Sequence, residues 1–236
     1  MTTLSETATS YIYDTLITAK LAGIENIIFD TEMRNVRAMK EPNIVLIEGD
    51  NFPDDMKNVP SLMIADVNKL VSRMDLIRGF TGFKTSYEED PSKNYVRQLK
   101  FATGRTKVEF RCANPTTFRI PKKFVDIIIT EVNIPAESIA LLQQGISAFG
   151  ANTVMLSNTD DIKQVTTTLI DSNGDTMQHT AGLVLMDTDT KFAHTYDVKL
   201  LVSLTKQNTS TNIKVGQRGS LQLKVNNYSF YVFPQV

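Results

Sequence analysis

The sequence is poor in the side chains from which metal centres and covalent chemistry are built. It contains one cysteine, two histidines and no tryptophan among 236 residues. A single cysteine, Cys112, cannot form an internal disulfide, and two histidines do not make a cluster of soft metal ligands. No stretch approaches the roughly 18 consecutive apolar residues that a membrane helix requires. We therefore expect a soluble protein of a reducing compartment, without a bound metal and without a membrane partner.

Catalytic motifs are also missing. His179 lies in a predicted strand and His194 precedes a predicted helix, and neither has a G-x-S-x-G nucleophile motif nearby. The sequence contains no G-x-x-x-x-G-K-[ST] and no G-x-G-x-x-G, and its acidic pairs lack the glycine and terminal glutamate of a calcium loop. The sequence predicts a protein that is not an enzyme and needs no cofactor. Residues 1–6 have neither a basic nor an apolar signal region, so we expect it to stay inside the cell.

Charge is balanced overall but unevenly distributed. The net charge is −1, from 25 basic and 26 acidic side chains. From Arg97 to Lys123, however, eight lysines and arginines accompany a single acid, Glu109. Any nucleic acid would therefore be bound through the local placement of cations and not through a basic whole.

The periodicity of apolar residues predicts four helices among short strands. Thr3-Leu4-Ser5-Glu6 has the form of a capping box and opens the first helix, which runs to Gly23. The other helices are expected at Asp66–Ile77, Pro135–Gly150 and Tyr196–Lys206. The expected strands are Asn26–Asp30, Val36–Met39, Asn43–Glu48, Gly82–Tyr87, Tyr95–Ala102, Lys107–Cys112, Phe124–Val132, Asn152–Leu156, Ile162–Ile170, Thr176–Met186, Asn212–Val215, Ser220–Val225 and Tyr228–Phe233.

The two halves of the chain repeat one order of elements: helix, strands, helix, strands. Asp66-Val67-Asn68-Lys69-Leu70-Val71-Ser72 matches Asp197-Val198-Lys199-Leu200-Leu201-Val202-Ser203 at an offset of 131 positions (197 − 66). Two prolines mark residues 114–123 as the linker. The sequence thus predicts an α+β protein of two duplicated domains, residues 1–113 and 124–236, each with two helices packed on antiparallel sheets.

At these residues the sequence resembles the DNA polymerase sliding clamps of T-even-type tailed phages, which belong with the proliferating cell nuclear antigen family. The likeness lies in Leu4-Ser5-Glu6-Thr7, in Ile64–Leu70, in Thr130–Ala136 and in the closing Gly219–Phe233 hairpin. It implies domains of the DNA-clamp type and a homotrimer that closes six domains into a ring around duplex DNA. A processivity factor of this kind serves DNA replication in the cytoplasm of an infected host cell. It also implies a DNA polymerase and a clamp loader as partners.

The resemblance suggests a role for three sets of residues. Contacts to DNA without sequence preference need diffuse positive charge on the helices that line the hole. The expected channel residues are Lys20, Lys69, Arg73, Arg78, Lys199 and Lys206. The expected pocket for partner peptides comprises Phe118, Ile120, Pro121, Tyr231, Phe233 and Pro234. The expected subunit interface joins Arg105, Lys107, Glu109 and Arg111 of one copy to Met177, His179 and Leu183 of the next.

Other interpretations compete with this one. Each channel cation is also compatible with an ordinary solvated surface charge, and the third helix offers only Glu137 and no base. A β-rich structural virion protein, such as a tail-tube or baseplate subunit, shares the threonine-rich and cysteine-poor composition. A single-stranded DNA binding module would need exposed aromatic residues in a basic groove, and tryptophan is absent.

Overall fold

A computed structural model describes residues 2–40, 45–49, 52–117, 126–159, 161–186, 189–205, 210–225 and 228–235. These residues form two compact units. Unit 1 contains described residues 2–40 and 47–117, and unit 2 contains residues 45–46 together with those from 126 onward. The predicted linker lies mostly outside the described residues, so its bounds stay a prediction. Its first part, Pro115–Thr117, forms one 3-10 turn.

Four α-helices and sixteen strands are assigned in the described residues. The helices are α1 Glu6–Leu21, α2 Val67–Arg78, α3 Ala136–Phe149 and α4 Val198–Thr205. The strands of the first half are β1 Thr2–Thr3, β2 Asn26–Asp30, β3 Asn35–Met39, β4 Val45–Gly49, β5 Leu62–Ile64, β6 Lys84–Asp90, β7 Tyr95–Ala102 and β8 Lys107–Arg111. The strands of the second half are β9 Ile128–Pro135, β10 Thr153–Ser157, β11 Gln164–Ile170, β12 Thr176–Val184, β13 Ala193–Asp197, β14 Ser210–Gly216, β15 Leu221–Val225 and β16 Tyr228–Val232.

Side-chain caps determine where three of the helices begin. The Asp66 carboxylate accepts a hydrogen bond from Lys69 N (2.8 Å), and the Asp197 carboxylate accepts one from Leu200 N (2.9 Å). Helix α1 is capped by Ser5, whose Oγ accepts from Ala8 N at 3.0 Å. The predicted capping box on Thr3 is wrong, because Thr3 belongs to strand β1 and pairs with Ser86.

Unit 1 contains two antiparallel sheets. One has the order β1-β6-β7-β8 and the other the order β3-β2-β5. Strand β6 starts later than the predicted Gly82–Tyr87, because Gly82 has a φ of +72° and belongs to the turn after α2. The apolar face of α2, formed by Val67, Leu70, Val71, Met74 and Ile77, is fully buried. This burial holds the helix pair against the sheet.

Unit 2 repeats the arrangement. Its strands follow the order β13-β10-β11-β12-β9-β14-β15-β16, in which β9-β14-β15-β16 reproduces β1-β6-β7-β8 of unit 1. The order β13-β10-β11 likewise reproduces β5-β2-β3. Strand β9 joins the two groups through two residue pairs with β12, at Leu183 and Val184. The predicted α+β fold with two duplicated, helix-on-sheet units is confirmed.

Helix α3 packs very closely on its sheet. A Cβ atom placed on Gly145 would come within 2.6 Å of the Leu169 side chain and 2.9 Å of the Met177 sulfur. Glycine therefore allows the helix to approach β11 and β12 at this level. None of the helices in the described residues is long and apolar enough to cross a membrane.

Candidate nucleic-acid interface and strand edges

The helices bring most of the predicted channel cations to the protein surface. Helix α1 packs against α2, and α3 packs against α4. Lys20, Lys69 and Arg78 are exposed on the first pair and Lys199 on the second. Lys206 lies outside the described residues. The four exposed cations are available to an anionic partner, since none of them is needed to fill the core.

Arg73 is held differently from the other channel cations. Its guanidinium donates a hydrogen bond from Nη1 to the carbonyl oxygen of Glu109 at 2.7 Å and lies over the Phe110 ring at 5.5 Å. The side chain is therefore half-buried between α2 and β8. The sequence placed Arg73 on the polar face of α2 but gave no sign of this contact, because β8 lies more than thirty residues further along the chain.

Arg78 is also engaged, although it is exposed. Its guanidinium lies 3.6 Å from the centre of the Tyr13 ring, and the Tyr13 hydroxyl donates to Asp75 at 2.6 Å. The hydrogen bond to Asp75 raises the pKa of Tyr13 above its ordinary value, with a smaller contribution from burial. Both contacts limit the freedom of the Arg78 side chain and orient its charge.

The exposed helix faces also carry acids. Glu6 and Asp14 on α1 and Glu137 on α3 are exposed, and α3 carries no lysine or arginine. These carboxylates offset part of the field of Lys20, Lys69 and Lys199. The helices can therefore contribute only a modest attraction to polyanions.

Strand β8 has an open edge in the described part of unit 1. It is the last strand of its sheet and pairs only with β7. Arg105, Lys107, Glu109 and Arg111 are all exposed there. Lys107 and Glu109 form an ion pair at 2.6 Å, which raises the pKa of the lysine and lowers that of the glutamate. Unpaired backbone groups at such an edge can accept a further strand.

Strand β12 has a second open edge. It pairs with β11 from Thr176 to Leu183, but on its other side it meets β9 only at its last two residues. The edge before Leu183 therefore has no partner strand among the described residues. Next to it, α3 and β12 line a cavity of about 540 Å³. The side chain of Leu183 is 60% exposed, and His179 Nε2 lies 3.0 Å from Ser138 Oγ.

The predicted partner-peptide pocket is described only in part. Phe118, Ile120 and Pro121 lie outside the described residues, whereas Tyr231, Phe233 and Pro234 are half-buried at the end of unit 2. Gln222 Nε2 donates to the Tyr231 hydroxyl at 3.2 Å. The structure therefore brings together the C-terminal residues of the set and does not test the rest.

Sequence reasoning missed a cavity of about 460 Å³ in unit 1, enclosed by α1, the end of α2 and the start of β6. Thr85 lines it, and its buried Oγ1 has no hydrogen-bond partner among the described residues. Its walls come from three separate segments of the chain, so no local pattern could reveal it. The described residues contain no group of three or more His, Cys, Asp or Glu side chains arranged to hold a metal ion.

Comparison with known proteins agrees with this architecture at the level of structure alone. No family model and no curated protein matches the sequence. Among the solved structures, the crystal structure of proliferating cellular nuclear antigen from Entamoeba histolytica matches 100% of this chain and 98% of that chain, with a TM-score of 0.61 and 10% sequence identity. The chain has the DNA-clamp fold. In the clamp fold, as in this chain, the order of strands is repeated in both halves, and the match extends from one end of the chain to the other.

Proposed function

We propose that the chain is the subunit of a sliding clamp, a non-enzymatic ring that encircles duplex DNA and tethers a DNA polymerase for processive synthesis. The clamp fold over the full length of the chain is the observation that carries this proposal. The resemblance to clamps of T-even-type phages adds the setting, which is replication in the cytoplasm of an infected host cell, with a clamp loader as a further partner. The tail-tube or baseplate alternative is not favoured by the clamp fold.

In this proposal the helices hold DNA by non-specific contacts. Lys20, Lys69, Arg78 and Lys199 supply cations that can meet phosphates without reading bases. Because exposed acids offset these cations, binding energy alone is a weak restraint. Retention then depends on closure of the ring, which a circular DNA cannot leave without the ring opening.

Closure would use the two open strand edges. Addition of β12 of one copy to β8 of the next would satisfy the unpaired backbone groups of both strands. Leu183 would lose its exposure to water in such a contact. Three copies joined in this way would make the proposed homotrimer of six units.

The proposal is tested by the mass of the protein in solution. Light scattering should give three times the 26.4 kDa subunit mass. Leu183→Glu should shift the mass toward that of one subunit, because a buried carboxylate at the interface is costly. Met33→Glu, a matched change of an exposed side chain in a turn of unit 1 away from both edges, should leave the trimer intact. A wild-type monomer at micromolar concentration, or a trimer unaffected by Leu183→Glu, would contradict the proposed interface.

A further inference from the structure

The cavity of about 460 Å³ in unit 1 is a built space and not a surface dent. Strand β6 and the residues of β1 form its floor, one side of α1 and the end of α2 form its walls, and the loop between α2 and β6 lies at its rim. Its volume is within the range of small-ligand sites, which spans roughly 300 to 1,000 Å³. A cavity of this size is larger than packing defects in protein interiors normally are.

A buried polar atom in this cavity lacks a partner. Thr85 is only 3% exposed, and its Oγ1 has no hydrogen-bond partner among the described residues. A buried hydroxyl without a partner is costly, and native proteins usually avoid it. The hydroxyls of Thr9 and Ser10 line the same space. This arrangement would be satisfied by a ligand with several hydrogen-bonding groups.

The cavity carries opposite charges at positions far apart along α1. Glu6 lines it from the first turn of the helix, whereas Arg78 lies over the ring of Tyr13, seven positions further along the helix. At 1.5 Å per residue these positions are about 10 Å apart. Lys84 adds a second cation to the lining. The charges therefore suit an elongated ligand with an anionic group at one end and hydrogen-bond donors at the other.

Two aromatic rings complete the lining. Phe80 and Phe83 belong to the short loop after α2, and Phe80 is 53% exposed although it borders the cavity. Gly79 and Gly82 flank Phe80 in this loop, and Gly82 has a φ of +72°. A planar aromatic ligand would bury the exposed ring by stacking on it.

We propose that this cavity binds a nucleotide, with its base against Phe80 and Phe83, its sugar near Thr85 and Ser10, and its phosphate at Arg78 and Lys84. The Glu6 carboxylate would accept a hydrogen bond from an exocyclic amino group of the base, in the way that acidic side chains recognise such groups. Bases with an amino group are therefore preferred to thymine. The nucleotide can come from solution or from an unpaired end of a DNA strand. The inference does not depend on ring assembly.

The test is equilibrium binding of dAMP to the full-length protein by calorimetry, with dTMP, deoxyadenosine and inorganic phosphate as comparisons. We expect dAMP to bind more tightly than the other three. Thr85→Val, which removes the hydroxyl and keeps the shape, and Phe80→Ala should each weaken dAMP binding by about tenfold. Thr85→Ser should retain binding, and Leu76→Ala, a change of a 68% exposed side chain on α2 outside the cavity, should have no effect.

Further arms separate the two sources of the nucleotide and the alternatives. Competition between dAMP and a DNA hairpin with one unpaired 3′-terminal dA shows whether a strand end can enter the cavity. Absence of dAMP binding, or dAMP binding that Thr85→Val and Phe80→Ala leave unchanged, would overturn the proposal. Binding of an acidic aromatic peptide in place of dAMP would overturn it as well. Light scattering of the same variants reports the oligomeric state separately, so failure of this inference is distinguishable from failure of the proposed clamp.

Discussion

Arg73 differs from the other proposed channel cations because its guanidinium already has partners within unit 1. The hydrogen bond to Glu109 O and the stacking on Phe110 attach α2 to the edge strand β8. Arg73→Ala should lower the free energy of unfolding by about 1 kcal/mol, since both contacts are partly solvated. Lys69→Ala, an exposed change on the same helix, should alter it by less than about 0.5 kcal/mol. Urea unfolding of both variants checks this difference, and equal effects would contradict it.

Cys112 provides a probe of unit 1. Burial raises the pKa of its thiol to about 12, so very little reactive thiolate exists in the folded protein. We expect maleimide labelling at pH 8 to be at least about a hundredfold slower in the native protein than in urea. Mass spectrometry of timed samples measures both rates. Fast stoichiometric labelling of the native protein would show that this part of unit 1 opens readily.

His194 connects stability to pH. Partial burial lowers the pKa of its ring below the ordinary 6.5, with a smaller opposing effect of Asp126. The unfolded chain therefore binds a proton more readily than the folded chain, and stability falls as the pH drops below about 6.5. Thermal unfolding of the wild type at pH 7.5 and pH 5.5 should show a larger decrease than the same measurement on His194→Gln. An identical pH dependence in the two proteins would be the contrary result.

At the scale of elements, the duplicated caps are the features that the sequence predicted best. Asp66 and Asp197 stand at equivalent positions of the repeated segment, and each accepts from a backbone N–H three residues later. This interaction is local, so residue spacing reveals it. The first helix shows the limit of such reasoning. Thr3 and Ser5 are both capable caps, and the pairing of Thr3 with β6 decides in favour of Ser5.

The caps also give a direct prediction. Asp66→Ala and Asp197→Ala should each lower the free energy of unfolding by about 1 kcal/mol, because a backbone N–H at the helix start loses its acceptor. Asp66→Asn and Asp197→Asn keep an acceptor oxygen and should cost less than half as much. Chemical denaturation of the four variants tests this. If the alanine and asparagine variants were equally destabilised, the charge and not the hydrogen bond would be the cause.

The candidate sites were predictable only where they depend on local patterns. Exposure of Lys69 and Lys199 follows from helical periodicity, since the apolar positions determine which face is buried. The open edges of β8 and β12 depend on which strands pair, and pairing joins segments far apart in the sequence. The cavity around Thr85 likewise depends on three distant segments. Chain-wide packing, which a periodicity argument does not contain, decided these features.

At the scale of the whole molecule, the proposed function makes retention a matter of topology. The cations on the helices are offset by Glu6, Asp14 and Glu137, so a bound ring should slide and not stay at one position. A protein held by charge alone would dissociate steeply as salt rises. A closed ring would remain on circular DNA at the same salt concentration, because dissociation then requires an interface to open.

The most direct test of the proposed clamp is therefore retention on circular DNA before and after a single double-strand cut. The protein is loaded on a nicked circular plasmid, with the cognate clamp loader if loading requires it, and passed through a gel-filtration column at 0.2 M salt. We predict that it elutes with the circular DNA and is lost within minutes of linearisation. Equal retention on circular and linear DNA, or none on either despite a confirmed trimer, would contradict encirclement of DNA.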